Sequence, residues 1–177
     1  ANRATVNALQ VSPYLRHQFG FDAQGEARLT RSSVTTSSTT TTTGFSGNHL
    51  NRVDLKLGSG PSFKLLGWNL AYSRTHQETM GAVARSTSLE HVEAGLRRTL
   101  TNNFAVTMQV GYDDNNYVTT TGTAPRGSLY SLGLEWLPSP KTRMFASVGH
   151  KYYGPSGSFT FKHQTALTTW DLSYVDR

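Results

Sequence analysis

Residues 130–154 read YSLGLEWLPSPKTRMFASVGHKYYG, and apolar and polar side chains alternate along them on both sides of a Pro-Ser-Pro-Lys turn. Tyr130, Leu132, Leu134 and Trp136 share one parity, and Ser131, Gly133 and Glu135 the other. Beyond the turn, Met144, Ala146, Val148 and Tyr152 alternate with Ser147, Gly149 and Lys151. A two-residue period belongs to a strand whose two faces meet different surroundings. A chain patterned this way must fold as a sheet, and the deciding question is which face meets which solvent.

The same period recurs along the 177 residues in about nine strands. They fall near 5–19, 26–36, 49–58, 63–75, 87–100 and 103–113, then on either side of the 138–142 turn, and last over 157–177. The stretch 103–113 is the most regular, with Phe104, Val106, Met108, Val110 and Tyr112 set against Thr107, Gln109, Gly111 and Asp113. In the last stretch Phe159 and Phe161 differ in parity from Trp170, Leu172 and Tyr174, which predicts a bulge near 166–169. Mean hydropathy is −0.44 and 36% of residues are hydrophobic, so no run approaches the roughly 20 apolar residues of a spanning helix. There is no cysteine, which excludes disulfides and thiolate metal sites. The N-terminal ANRATVNALQ has no basic start followed by an apolar run, so any signal peptide is expected to lie upstream or to have been removed.

Connections alternate between tight turns (58–62, 101–103, 138–142) and longer polar links (35–48, 76–86, 113–127). The Thr-rich 35–48 segment is expected to be an external loop, or to extend two strands beyond the body. Three features favour a transmembrane barrel over a soluble sandwich or a lipocalin-like barrel. Charges sit mid-strand on the polar parity, as a wet barrel interior tolerates. Aromatic residues end the apolar rows, where interfacial girdles belong. Turn lengths are asymmetric, as between the two ends of an outer-membrane barrel.

The expectation is therefore a single domain over 1–177, an antiparallel up-and-down transmembrane β-barrel in a Gram-negative outer membrane. Candidate lumen residues are Arg16, Arg28, Arg52, Asp54, Lys56, Glu93, Arg97, Asp113, Glu135 and Lys151. The girdle candidates are Trp68, Phe104, Tyr112, Tyr130, Trp136, Tyr152 and Trp170. With short turns in the periplasm, nine strands leave the two chain ends on opposite sides, against the even count usual in single-chain barrels. The strands are then expected to be part of a larger barrel, completed by further strands or by neighbouring chains.

SLGLEWLPSPKTRMFASVGHKYYG and KHQTALTTWDLSYVDR together resemble the outer-membrane β-barrel proteins associated with PEP-CTERM/exosortase exopolysaccharide loci. That family shows a G-x-x-W-x-P-S-P-R-T turn, an R-R-F-F-G strand end and a late W-x-x-x-Y-x-E. Gly133, Trp136, Pro138, Ser139, Pro140, Thr142, Gly154, Trp170 and Tyr174 match, as do Ser12, Pro13, Tyr14, Phe19 and Gly20 of an earlier S-P-Y strand. Lys141 stands for Arg, Lys151-Tyr152-Tyr153 for Arg-Arg-Phe-Phe and Asp176 for Glu. The resemblance implies residence in the outer membrane and a part in polysaccharide export; family members are generally longer than this chain.

No catalytic constellation stands out. His17, His49, His76, His91, His150 and His163 form no H-x-x-x-H or H-E-x-x-H pattern. Ser147 with His150, and His91 with Glu93, lack the strand-turn-helix setting of a nucleophile elbow. Asp113-Asp114-Asn115-Asn116 lacks the Gly and Glu of a calcium loop, and Gly58-Ser59-Gly60 lacks the helix of a phosphate cradle. The expected function is a non-enzymatic pore or exopolysaccharide-associated export channel with a polar, basic-leaning lumen, without cofactor or metal. Its partners would be the lipid bilayer and an anionic solute or polysaccharide, with further barrel strands or a homo-oligomer, and no nucleic acid. A scaffold barrel that holds a partner protein is the alternative, and an outer-membrane lipid hydrolase built on Ser147 and His150 a more distant one.

Overall fold

The computed structural model describes residues 4–38, 46–81, 84–117 and 124–176. Among them there is no helix. Eleven strands form one antiparallel sheet: β1 (Ala4–Val11), β2 (Tyr14–Phe19), β3 (Ala23–Ser38), β4 (Ser46–Ser59), β5 (Leu66–Met80), β6 (Arg85–Thr101), β7 (Phe104–Asn115), β8 (Arg126–Ser139), β9 (Thr142–Lys151), β10 (Gly154–Gln164) and β11 (Thr169–Asp176). The hydrogen-bonded order is β1-β3-β4-β5-β6-β7-β8-β9-β10-β11, with β2 also beside β3. The up-and-down antiparallel architecture expected from the alternation is present, and the sheet is open. β11 does not pair with β1 or β2, so a closed barrel is not part of what is observed.

Two features change the expected count of nine. β1 and β2 lie against β3 in one register, with Gln10 opposite Ser32 and Tyr14 opposite Arg28. They are one strand interrupted at Pro13, as the single stretch 5–19 implied. Leu29 N–H donates to Pro13 O at 3.0 Å, but proline has no N–H to return the bond. Ser12 Oγ and Thr30 Oγ1, 2.9 Å apart, carry the pairing across the break. The expected bulge near 166–169 is instead a hairpin turn. Thr165 N–H donates to Thr168 O at 2.8 Å, and β10 and β11 run back on each other with Phe161 opposite Leu172 and Phe159 opposite Tyr174.

The hairpin also corrects the expected topology. β1–β2 runs from the end of the 38–46 connection to the tight-turn end, and β11 runs back the other way. The path thus has an even ten positions, and both described ends lie at the same end of the sheet.

The link expected over 76–86 is largely strand, because β5 reaches Met80 and β6 starts at Arg85. β3 and β4 likewise extend to Ser38 and from Ser46, as one reading of the Thr-rich segment anticipated; the remainder of that segment, 39–45, lies outside the described residues. At the tight-turn end, Gly20 adopts φ 60°, a left-handed conformation natural to glycine, between β2 and β3. Gly60 N–H and Ser62 N–H donate to Asp22 O (2.8 Å) and Phe21 O (3.0 Å), so neighbouring turns are tied backbone to backbone. A Cβ on Gly60 would overlap Phe21, which restricts that position to glycine.

There is no dry core. Ala105 is the one buried apolar residue among those described. The accessible surface is 12972 Å², against about 8,500 Å² for a compact globular chain of this mass. The sheet is one layer thick, and what it does is decided by its two faces.

Candidate functional site

Opposite residues in an antiparallel ladder share a face, so the registers assign every side chain. One line across the sheet joins Arg28, Asp54, Ser73, His91, Asp113 and Gly127. A second joins Arg16, Glu26, Lys56, Ala71, Glu93 and Gly111. Arg52 lies opposite Thr30, Arg97 opposite Thr107 and Glu135 opposite Ala105, while Lys151 shares the parity of Gly149, which opposes Ser131. All ten expected lumen residues thus stand on one polar face.

On β8, exposure distinguishes the two faces in the reverse of a soluble sandwich. Tyr130 is 56% exposed, Leu132 56%, Leu134 49% and Trp136 47%. Between them Gly133 is buried and Ser131 and Glu135 are half-buried. The small polar-face residues of this strand are more covered than its large apolar ones.

Ion pairs run across the polar face. Glu135 accepts from Arg97 Nη2 at 2.9 Å and Arg97 Nε at 3.2 Å, while Arg143 Nη2 lies 3.2 Å from its other oxygen. One carboxylate on β8 therefore joins cations on β6 and β9. Arg52 forks onto Asp54 (Nε and Nη2 both at 2.8 Å), Arg28 meets Glu26 at 3.3 Å and Lys162 meets Asp171 at 2.9 Å. Asp113 and Glu93 have histidine as their partner instead: His91 Nδ1 is 2.5 Å from Asp113 Oδ1, and Nε2 is 3.8 Å from Glu93. Among the described residues Arg16, Lys56 and Lys151 have no carboxylate within ion-pair distance. Arg16 and Lys56, with Gln24, Glu26 and Asn69, line a depression of about 410 Å³. Glycines on this face make room for large neighbours. A Cβ on Gly133 would sit 3.1 Å from the Phe145 ring, and one on Gly111 3.1 Å from Leu129.

The apolar face carries a band bounded by aromatics. Trp68, Phe104, Trp136 and Trp170 mark its tight-turn edge, and Tyr72, Tyr112, Tyr130 and Tyr174 the other. From Phe104 to Tyr112 the strand advances roughly 26 Å at about 3.3 Å per residue, or about 20 Å along a barrel axis at a tilt of about 40°, whereas Trp68–Tyr72 and Trp170–Tyr174 span only roughly 13 Å of strand. Beyond the tyrosines the same face turns polar, with Arg74, Glu90, Asp114 and Arg126 abreast, and Tyr72 Oη donates to Glu90 at 2.8 Å. Tyr152 does not stand in this row. It is a turn residue between β9 and β10, packed over Gly127 and edge-on to Tyr153 at 5.0 Å. Burial, and then a hydrogen bond with Tyr117, hold its phenol above the ordinary value.

Sequence reasoning passed over Arg143, Glu26, Lys162 and Asp171. Arg143 was legible in principle, since it shares the parity of Ser147, but it adjoins a turn and its neighbour Phe145 breaks the polar row. The hydrolytic pair comes apart. Ser147 lies on the polar face, bonded to Ser158 at 2.7 Å, whereas His150 lies on the apolar face, stacked on Tyr130. Ser73, His91 and Asp113 stand abreast, yet no hydrogen bond joins Ser73 to His91 among the described residues. Asp113 and Asp114 point to opposite faces and cannot converge on one cation, and among the described residues no group of three such side chains is placed to hold a metal ion.

No family model matches the chain, and no curated protein matches it significantly. The likeness to exopolysaccharide-locus barrel proteins therefore rests on the residues quoted for it.

Proposed function

We propose that the chain forms the wall of an outer-membrane β-barrel pore, with the apolar face against lipid and the polar face lining an aqueous, basic-leaning passage. One observation carries this reading: large apolar side chains stand half exposed along one face with nothing among the described residues packed over them, while the ion pairs gather on the opposite face. A soluble sheet gains stability by hiding its apolar face. Here Leu132, Leu134, Met108 and Leu96 are about half exposed, within a band bounded by aromatic residues at both edges. An outward band about 25 Å tall between aromatic girdles is what a bilayer-spanning barrel presents.

Passage is passive in this reading, and selectivity follows from charge. Arg16, Lys56 and Lys151 lack an ion-pairing carboxylate among the described residues, so the wall leans positive and favours anions. The family resemblance adds an acidic glycan as a candidate cargo. Purified protein in a planar bilayer under a KCl gradient tests this. The expected result is discrete conductance with a reversal potential on the anion side, moved toward cations by Lys56→Glu. An electrically silent protein, or a reversal potential that Lys56→Glu does not move, would overturn it.

A further inference from the structure

Both edges of the sheet have backbone groups without ladder partners among the described residues, and both carry large apolar side chains on the apolar face. On the β1–β2 edge Leu9 is 67% exposed, Val11 55% and Leu15 71%; on β11 Trp170 is 64%, Leu172 59% and Tyr174 62%. In hydrocarbon each unpaired backbone group costs several kcal/mol, so neither edge can remain bare there. Resting on the barrel reading above, we propose that β11 pairs antiparallel with β1–β2 of the same chain, with Val11 beside Leu172 or Tyr174.

Three properties of the edges fit one another. Their directions are opposite, because the path holds an even ten strands. Their faces agree, because Val11, Leu172 and Tyr174 all belong to the apolar face, so closure keeps every apolar row outside. Their stagger is right as well. The line of opposite residues that leaves β2 at Arg16 reaches β10 at Gly154, beyond the last ladder pair that β10 makes with β11, Gly157 with Asp176. The strands therefore climb steadily across the sheet. Placing Val11 opposite Tyr174 or Leu172 gives a total stagger of about 10 or 12 residues and a tilt of about 35–40°, within the range of barrels. A shift one way lowers the tilt to about 30°, and a shift the other way sets the girdle residue Tyr174 against the polar Asn7, although Val11 and Leu9 would then meet Trp170 and Leu172.

Closure fixes the width. Ten strands about 4.8 Å apart at that tilt give a backbone radius of about 10 Å, and the arginines of the polar face occupy much of it. A cylinder so narrow suits small anions, so closure would remove the acidic glycan that the family resemblance suggests from the list of cargoes. The chain's own two edges thus complement each other in direction, face and stagger.

The chain has no cysteine, so introduced pairs are unique. V11C/L172C and V11C/Y174C are refolded into lipid vesicles and oxidised, with L96C/L172C as the distant control. The expected result is an intrachain disulfide in one of the first two, seen as a faster gel band that reductant abolishes, and none in the control. Disulfide-linked dimers at the same positions would replace the chain's own edge by a second copy. If neither pair cross-links while brominated lipid quenches the tryptophans, other strands cover the edges; closure fails and the barrel reading stands. Absence of quenching would remove the barrel reading itself.

Discussion

Met108 lies midway along the apolar row of β7, between Phe104 and Tyr112, and is 46% exposed. Each aromatic edge is about 13 Å away along the strand, or roughly 10 Å along the bilayer normal for a strand tilted about 40°. In the proposed barrel, Met108→Arg therefore puts a guanidinium near the middle of the hydrocarbon, at a cost of about 2–4 kcal/mol. Tyr112→Arg, at the interfacial level, should cost no more than about 1 kcal/mol in charge transfer, and Gln109→Arg on the polar face still less. In water the ranking vanishes. Met108 is already half exposed, and an exposed substitution changes stability within about 0.5 kcal/mol. Denaturant titration of the vesicle-folded protein, followed by tryptophan fluorescence, reads these costs as midpoint shifts at constant slope. A Met108→Arg variant within about 0.5 kcal/mol of the parent, or one no worse than Tyr112→Arg, would refute the assignment of the apolar face to lipid.

Glu135→Gln removes the carboxylate that Arg97 and Arg143 share at 2.9 and 3.2 Å, and should move the reversal potential further toward anions. A shift toward cations would contradict the placement of these charges in the conducting path. Gly133→Val drives a branched side chain into Thr107 and the Phe145 ring and should destabilise the fold by about 1–3 kcal/mol in a denaturant titration. A neutral result would mean that the polar face is less crowded than its geometry shows. Arg16→Glu should depress anion selectivity as Lys56→Glu does, because both line the same depression. Opposite effects of these two on the reversal potential would dismiss a common passage.

The two faces were legible in the sequence because a strand's side-chain period is two and registers preserve parity. Naming Glu135 and Leu134 as belonging to opposite faces required no coordinates, and the same held for every expected lumen residue. The last hairpin was not legible for a specific reason. A turn of four residues, Thr165 to Thr168, reverses parity as a bulge does, and it contains no Gly, Pro, Asn or Asp to mark it. The outer parts of β5 and β6 were lost differently. Arg74, His76 and Glu78 on one face alternate with Thr75, Gln77 and Thr79 on the other, so both faces are polar and no hydrophobic period remains to be seen. Tyr152 was misplaced by continuing parity through a two-residue turn. Ion-pair partners such as Arg143 with Glu135 depend on register between strands, which one strand's sequence does not contain.

A nitroxide scan along β8 from Tyr130 to Trp136 reads directly which solvent each face meets. With the protein in vesicles, labels at 130, 132, 134 and 136 should collide with oxygen dissolved in lipid. Those at 131 and 135, with Gly133 left unlabelled because no side chain fits there, should collide with a water-soluble nickel chelate, giving a two-residue oscillation with the two reagents out of phase. Even positions shielded from both reagents, or an oscillation of inverted phase, would show the apolar row packed against protein and would contradict a lipid-facing wall.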